Sequence, residues 1–263
     1  MSRPELSIST VFDYGIPIQA QISLIAEASF THISLGAKES YSACLSRESR
    51  SHLKELLDEH SLAVDTIHGP SPDRDDSIDL LAKAARAACD LSAAVVVLHG
   101  GPFNFEKDEL AGRLDALLRC CEAVQPVASE AGVVFALENV MPGPATDIVR
   151  QALPKLDPRH FGFCYDSSHD QIGGPRPFDL LEELGDRLVA VHLSDRVREF
   201  VDHVPPGDGF IDWGTLCTLI RRSSFAGPVG LEVMVANSFE KDALEFLKLT
   251  HERGGQIYDK IFW

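Results

Sequence analysis

A short apolar, β-branched run recurs eight times along this chain, and a longer amphipathic or Ala/Leu-rich stretch follows each one. The runs are Leu6 to Phe12, Thr31 to Leu35, Leu62 to His68, Ala94 to His99, Val133 to Glu138, Phe161 to Asp166, Leu188 to His192 and Val229 to Val233. Their spacing averages roughly 30 residues, the size of one βα unit. The stretches between them carry the helical period: Leu110, Leu114, Leu117, Leu118, Cys121 and Val124 share one face, as do Leu53, Leu56 and Leu57. End signals agree, with Ser46 and Glu48 opening one helix, Asp212 capping another that starts at Trp213, and Gly132 closing the long fourth helix.

No break in composition, Pro/Gly linker or charge block interrupts these units. They predict one α/β domain over residues 1–263, a single-domain (β/α)8 TIM barrel, and the length fits a barrel of about 250 residues. A doubly wound open sheet is the competing arrangement. It is disfavoured because no G-x-G-x-x-G follows the first run, where the chain reads Val11-Phe12-Asp13-Tyr14-Gly15, and no phosphate-binding P-loop is present. The final segment, Tyr258 to Trp263, is apolar for a terminus, so it is expected to pack on the barrel or on a second subunit.

Composition narrows the partners. Lys and Arg number 24 against 40 Asp and Glu, a net charge of −16 that repels polyanions, so nucleic acid is not an expected partner. No apolar run approaches the roughly 18 residues of a membrane span. The start, Met1-Ser2-Arg3-Pro4-Glu5, lacks the basic and longer apolar regions of a secretory signal, so a cytoplasmic location is expected. Six cysteines (Cys44, Cys89, Cys120, Cys121, Cys164, Cys217) show no C-x-x-C spacing and read as reduced and structural.

The chemistry lies where the runs end. In a parallel barrel every strand's C-terminal end points to the one face that carries active sites. Six of the eight runs reach a metal-ligating type of residue there: His68, His99, Glu138, Asp166, His192 and Glu232. A single Glu or His at a strand end is usually just a satisfied polar group. Six in register are harder to dismiss, because carboxylates ending apolar strands are costly to bury unless paired or bound to a cation. Glu138, Asp166, His192 and Glu232 would offer three oxygens and one imidazole nitrogen to one divalent ion, a set that suits Mn²⁺, Mg²⁺ or Co²⁺ and also fits Zn²⁺. His169 and His203 fall on the same face. His32, His52, His60, His160 and His251 lie before runs or on predicted helices and read as surface residues.

Five segments together resemble the xylose-isomerase-like barrels, which include sugar and sugar-phosphate isomerases and epimerases, inosose dehydratase-type proteins and the endonuclease IV group. They are Leu137-Glu138-Asn139, Cys164-Tyr165-Asp166-Ser167-Ser168-His169, Val191-His192-Leu193-Ser194-Asp195, His203 through Gly209, and Gly230-Leu231-Glu232. The resemblance implies Glu138, Asp166, His192 and Glu232 as metal ligands. It implies His169 and Arg198 as substrate contacts, and Glu138 and Glu232 as the acid/base pair that exchanges a proton next to a carbonyl through a metal-stabilised ene-diolate. The physical logic agrees, since a cation polarises the carbonyl while a carboxylate on each face removes or returns the proton. His68, His99 and His203 join the expected substrate-binding set, with a sugar or polyol as the ligand. The apolar terminus and the family's habits favour a homodimer or homotetramer.

Two other activities share this constellation. An inosose-type dehydratase would abstract the same proton and expel a β-hydroxyl. An endonuclease IV-like phosphodiesterase would use several metals, and this chain keeps residues similar to much of that site: His68, His99, Glu138, Asp166, His169, His192, His203 and Glu232. It departs where that branch carries an Asp two residues before the last-loop histidine. Here that position is Val201, and Asp202 is expected to point elsewhere.

Overall fold

Each of the eight apolar runs becomes a strand in the computed structural model, which describes residues 4–36, 38, 41–198 and 201–263. The strands are β1 (Leu6–Ser9), β2 (His32–Gly36), β3 (Ala63–His68), β4 (Val95–His99), β5 (Val134–Glu138), β6 (Phe161–Asp166), β7 (Leu188–His192) and β8 (Val229–Leu231). Two stop short of the C-terminal end of their runs. β1 gives way to a 3-10 turn at Thr10, where the Ser9 hydroxyl accepts a hydrogen bond from Val11 N–H. β8 ends at Leu231, which leaves Glu232 one residue past the strand.

All neighbours pair in parallel in the order β7-β6-β5-β4-β3-β2-β1-β8. The ring closes between its two ends: Leu193 bridges Leu231, with Leu193 N–H donating to Gly230 O (2.8 Å) and Glu232 N–H to Leu193 O (3.1 Å). The result is a closed (β/α)8 barrel, as the recurrence of βα units predicts.

Helices cover the outside: α1 (Ile18–Glu27), α2 (Arg47–Glu59), α3 (Ser77–Asp90), α4 (Leu110–Ala131), α5 (Pro144–Ala152), α7 (Asp179–Leu184), α8 (Trp213–Arg222) and α9 (Ala243–Phe262), while the single buried turn α6 (Ser167–Asp170) sits at the end of β6. Ser46 caps α2 and Asp212 caps α8, the latter accepting from Gly214 and Thr215 N–H. Gly132 ends α4 in the left-handed conformation (φ 68°), as a helix-stopping glycine should. Ile257 and Ile261 pack α9 onto its own barrel, while Trp263 stays 71% exposed. All six cysteines are free thiols, five buried and Cys89 exposed. Among the described residues no helix is long and apolar enough to cross a membrane.

Period-two alternation splits the core in two. The outward residues of the strands join the helices in one large apolar cluster, whereas Val95, Val97, Ala136, Cys164 and Ala190 form a separate cluster inside the barrel. Continuing that inward parity along each strand leads to His99, Glu138, Asp166 and His192 at the C-terminal ends. The opposite wall of the interior is small and polar. A register shift between β2 and β3 sets Ser34 against Asp65 and Thr66, so the Ser34 and Thr66 hydroxyls bond at 2.6 Å while Asp65 lies beside Ser7 and Gly230. Gly230 is required there, because a Cβ would sit 2.3 Å from Val191 O.

Candidate metal centre and active site

Two side-chain clasps set the spacing of the strand ends. Asn139 mimics a strand between β5 and β6, its Nδ2 donating to Asp166 O (2.9 Å) and its Oδ1 accepting from Asp166 N–H (2.8 Å). The Ser167 hydroxyl donates to Ser194 O (2.7 Å) and accepts from Ser194 N–H (3.0 Å), tying the end of β6 to the end of β7. Neither role is visible in one dimension, although Asn139 directly follows Glu138 and Ser167 directly follows Asp166.

His192 is the hub of the site. Its Nδ1 lies 2.8 Å from Glu138 Oε1 and 2.8 Å from Glu232 Oε2. The second oxygen of Glu138 faces two more imidazoles, at 3.1 Å from His68 Nε2 and 3.3 Å from His99 Nε2. Burial opposes every charge here. It is outweighed at Glu138 by His192, His68 and His99, which hold the carboxyl well below the usual range. It is outweighed at Glu232 chiefly by His192, which brings the carboxyl to about 2. Burial likewise opposes protonation of His192, but Cys164, Glu138 and Glu232 carry its pKa well above the ordinary histidine value.

One buried carboxylate oxygen in the cluster, Asp166 Oδ2, has no hydrogen-bond partner. Orphaned buried polar atoms are rare and ask for a ligand. Asp166 Oδ1 is already used, accepting from His169 N–H at 2.7 Å, so Oδ2 is the oxygen left for the centre. One ligand atom from each of Glu138, Asp166, His192 and Glu232 falls within 4.8 Å of all the others. Opposite ligands across a small divalent ion stand about 4.2 Å apart, so modest adjustment brings the four onto one ion. Three carboxylates around one imidazole also leave an uncompensated negative charge, which a divalent cation offsets better than a single imidazolium. The residues fit the metal that the sequence leads one to expect.

A third group extends the site. Asp166, His169 and His203 form one potential ligand cluster, and His68, His99 and Glu138 form another. His169 Nδ1 faces Asn139 O at 3.1 Å, and His203 Nε2 stands 3.9 Å from Asp166 Oδ2. The fold holds His203 in the left-handed region (φ 51°), unusual for a residue other than glycine. Met234 N–H bonds its carbonyl at 2.7 Å, and Asp202 Oδ1 stands 3.4 Å from its Nδ1. Burial opposes charging His203, but Asp202, Asp166 and Glu232 raise its pKa to about 9. Asp202 turns away from the centre, as expected, and toward Arg196.

Arg198 is placed elsewhere. It is exposed on the loop after β7, and its carbonyl accepts from Arg196 Nη1 at 3.3 Å. The loop folds back at the Arg198–Val201 bridge, which turns Arg196 inward instead. Arg196 is 1% exposed, its Nε donating to Ser168 O (2.8 Å) and its Nη2 to Asp202 Oδ2 (2.8 Å). Sequence reasoning passed over this residue because two neighbouring arginines look alike until the loop is folded.

His68, His99, Glu138, His169, His203 and Glu232 open into one cavity of about 840 Å³. Asp166 and His192 lie beneath it, fully enclosed. His32, His52, His60, His160 and His251 do not line it; His52 is exposed as its surface reading expects, whereas the other four are half-buried, His251 packing edge-on against Phe30. Tyr14 and Phe103 do, both as substantially exposed aromatics that the sequence pattern did not single out.

The family model described as xylose isomerase-like TIM barrel matches residues 22–250. An uncharacterised protein of Sinorhizobium fredii, y4fM, is 26% identical over 254 residues, spanning 83% of this chain and 82% of its own. A solved D-tagatose 3-epimerase-like protein superimposes with a TM-score of 0.77 at 18% identity, covering 98% of this chain and 99% of the other. An IolI protein solved with a bound zinc atom superimposes with a TM-score of 0.75 at 17% identity, again covering 98% and 99%. At these identities the two superpositions establish a shared fold.

Proposed function

The chain belongs to the xylose isomerase-like TIM barrel family, and on that premise we propose that it is a divalent-metal-dependent isomerase or epimerase of a sugar, sugar phosphate or keto-polyol. The observation that carries the reading is the pair Glu138 and Glu232, both 2.8 Å from one nitrogen of His192 and both opening into the same cavity. A site built only to bind a sugar needs no such opposed pair. The names of the D-tagatose 3-epimerase-like and zinc-containing neighbours support it.

Glu138, Asp166, His192 and Glu232 would hold the ion, which supplies Lewis acidity to the substrate carbonyl when bound. One glutamate then removes the proton from the adjacent carbon and the other returns one, to the opposite face in epimerisation or to the neighbouring carbon in isomerisation. The two are not equivalent. Glu138 has both oxygens engaged, one by His192 and one by His68 and His99, whereas Glu232 faces the cavity from beyond the end of β8. Glu232 is therefore assigned the first abstraction. His68, His99, His169 and His203 line the cavity and would bond substrate hydroxyls, His68 and His99 by exchanging their contact with Glu138 for one to substrate.

Overlapping ligand clusters at one mouth favour one second reading, a multi-metal phosphodiesterase. The net charge of −16 and Val201 in the position of a further carboxylate weigh against it. Metal analysis, run beside solvent-deuterium incorporation into ketoses, aldoses and inososes, tests both. About one metal per chain with incorporation that Glu138→Gln abolishes supports the isomerase. Loss of a β-hydroxyl after the same exchange indicates a dehydratase. Two or three metals without exchange point to phosphoester hydrolysis, and a protein that holds no metal under any loading condition sinks the assignment.

A further inference from the structure

The cavity has two chemically different ends. One is the ring of histidines and glutamates. The other runs beneath the loops after β1, β2 and β3 and the first turn of α3, where Val11, Tyr41, Ala43, Leu45, Pro70 and Leu80 make most of the wall, interrupted by Ser46 and Ser71. Its volume of about 840 Å³ stands near the top of the roughly 300–1,000 Å³ range of pockets that enclose drug-sized ligands. A single six-carbon sugar at the glutamates leaves most of it empty.

The composition of the second arm says what fills it. Aliphatic side chains offer no partner to hydroxyls, so a second sugar or an open polyol chain would lose hydrogen bonds on entering. Flat apolar groups lose none. Tyr14 and Tyr41 meet at 5.0 Å between ring centroids, tilted by 34°, and Phe103 stands across the mouth, edge-on to His169 at 5.3 Å. Tyr14 is 53% exposed and Phe103 43%, an uncommon display of large aromatic surface on one cavity. Cations at the rim do not call for an anionic tail. Arg74 is held by Asp76 at 2.9 and 3.0 Å, Lys83 by Asp79 at 2.7 Å, and Lys38 lies 5.2 Å above the Tyr41 ring.

We propose that the substrate is a keto-sugar or keto-polyol bearing an uncharged apolar substituent, in the simplest case an aryl glycoside, whose aromatic group lies along Tyr14, Tyr41, Leu45 and Leu80. The proposal rests on the proton-transfer reading for the sugar end alone. The arm itself is defined by shape and polarity and is testable by binding without turnover.

The test is calorimetric titration of the metal-loaded protein with 4-nitrophenyl β-glucoside, methyl β-glucoside and maltose, repeated on Leu80→Trp and Leu45→Trp, which fill the arm from two sides. The aryl glucoside should bind at least tenfold more tightly than the other two, and either variant that keeps its melting temperature should shrink that preference to about twofold. Equal affinities, a preference for maltose, no binding of the aryl glucoside at millimolar concentration, or an aryl preference untouched by both substitutions would each overturn it. Deuterium exchange separates the two proposals. Exchange into free ketoses without aryl preference defeats the arm alone, while aryl preference without exchange into any keto-sugar defeats the isomerase alone.

Discussion

Oε1 of Glu138 stands 2.8 Å from Nδ1 of His192. The same nitrogen meets Glu232 Oε2 at the same distance, so one N–H is shared by two buried carboxylates. In the metal-free protein the imidazolium is the only charge between them. A divalent ion that takes the same oxygens must displace that proton, because a ligating imidazole is neutral at the bound nitrogen.

Metal binding near neutral pH should therefore release a proton, and the apparent affinity should rise with pH until His192 is deprotonated without help. Titrating Mn²⁺ or Zn²⁺ in buffers of different ionisation enthalpy reads the proton count directly. A count indistinguishable from zero between pH 6 and 7 would refute the shared-proton centre.

The same pKa shifts give the metal-free protein a stability window. His192 has a raised folded pKa, so its contribution is complete below the unfolded histidine value near 6.5 and disappears as pH rises through the folded value. Glu138 and Glu232 have depressed pKa values, so their contribution is present above the unfolded carboxyl value near 4.5 and vanishes as pH falls through about 2 for Glu232. The contribution of these three groups to the melting temperature of the metal-free protein should be full between these limits and fall on both sides. The alkaline fall should be absent from metal-loaded protein, and a fall of equal size in both would contradict the assignment.

Glu232→Gln removes the proposed base and keeps the shape. Deuterium exchange into substrate should drop at least about 10²-fold, within the range of lost general-base catalysis, while substrate affinity changes far less. An exchange rate within threefold of wild type would reassign the base.

Arg196 and Arg198 separate a buried positioning residue from a surface one. Asp202→Asn weakens a 2.8 Å charge-assisted hydrogen bond to the buried Arg196 guanidinium and should cost about 1–3 kcal/mol of stability. It also releases His203, which should raise KM more than it lowers kcat. Arg198→Ala should change stability by less than about 0.5 kcal/mol, as exposed substitutions do. If denaturation gave the two variants the same midpoint, the inward turn of this loop would be wrong.

Asp65 sits inside the barrel with partial access to water, and burial raises its pKa to about 7, against the opposing pull of Ser7 and His192. The folded state thus holds this proton more tightly than the unfolded chain, and stability falls as pH rises from about 4 to 7. Asp65→Asn should stabilise the protein at pH 8 by about 1–2 kcal/mol, with the gain fading below pH 5. A gain that is larger at pH 5 than at pH 8 would show the carboxylate to be stabilising.

The strands, the caps at Ser46 and Asp212, the stop at Gly132 and the rim residues from His68 to Glu232 were all legible in one dimension. Alternation, helical period and end signals are local, and a strand's last inward residue follows from its parity once the fold class is known. The partnerships were not legible. His68 and Glu138 are 70 residues apart and Glu138 and His192 are 54 apart, yet each pair meets through one carboxylate. Arg196 and Arg198 differ by two positions in the same loop, and only the folding back of that loop sends one inward and leaves the other at the surface.

Eight βα units closing into a barrel with acids and imidazoles at one mouth follow from the order of residues alone, because burial of alternating apolar residues admits few other arrangements. The tertiary structure decided which of those groups share a proton, which oxygens are left for a cation, and that an apolar arm opens beside them. Those are matters of distances between strands, and barrel closure sets them only when all eight strands are in place.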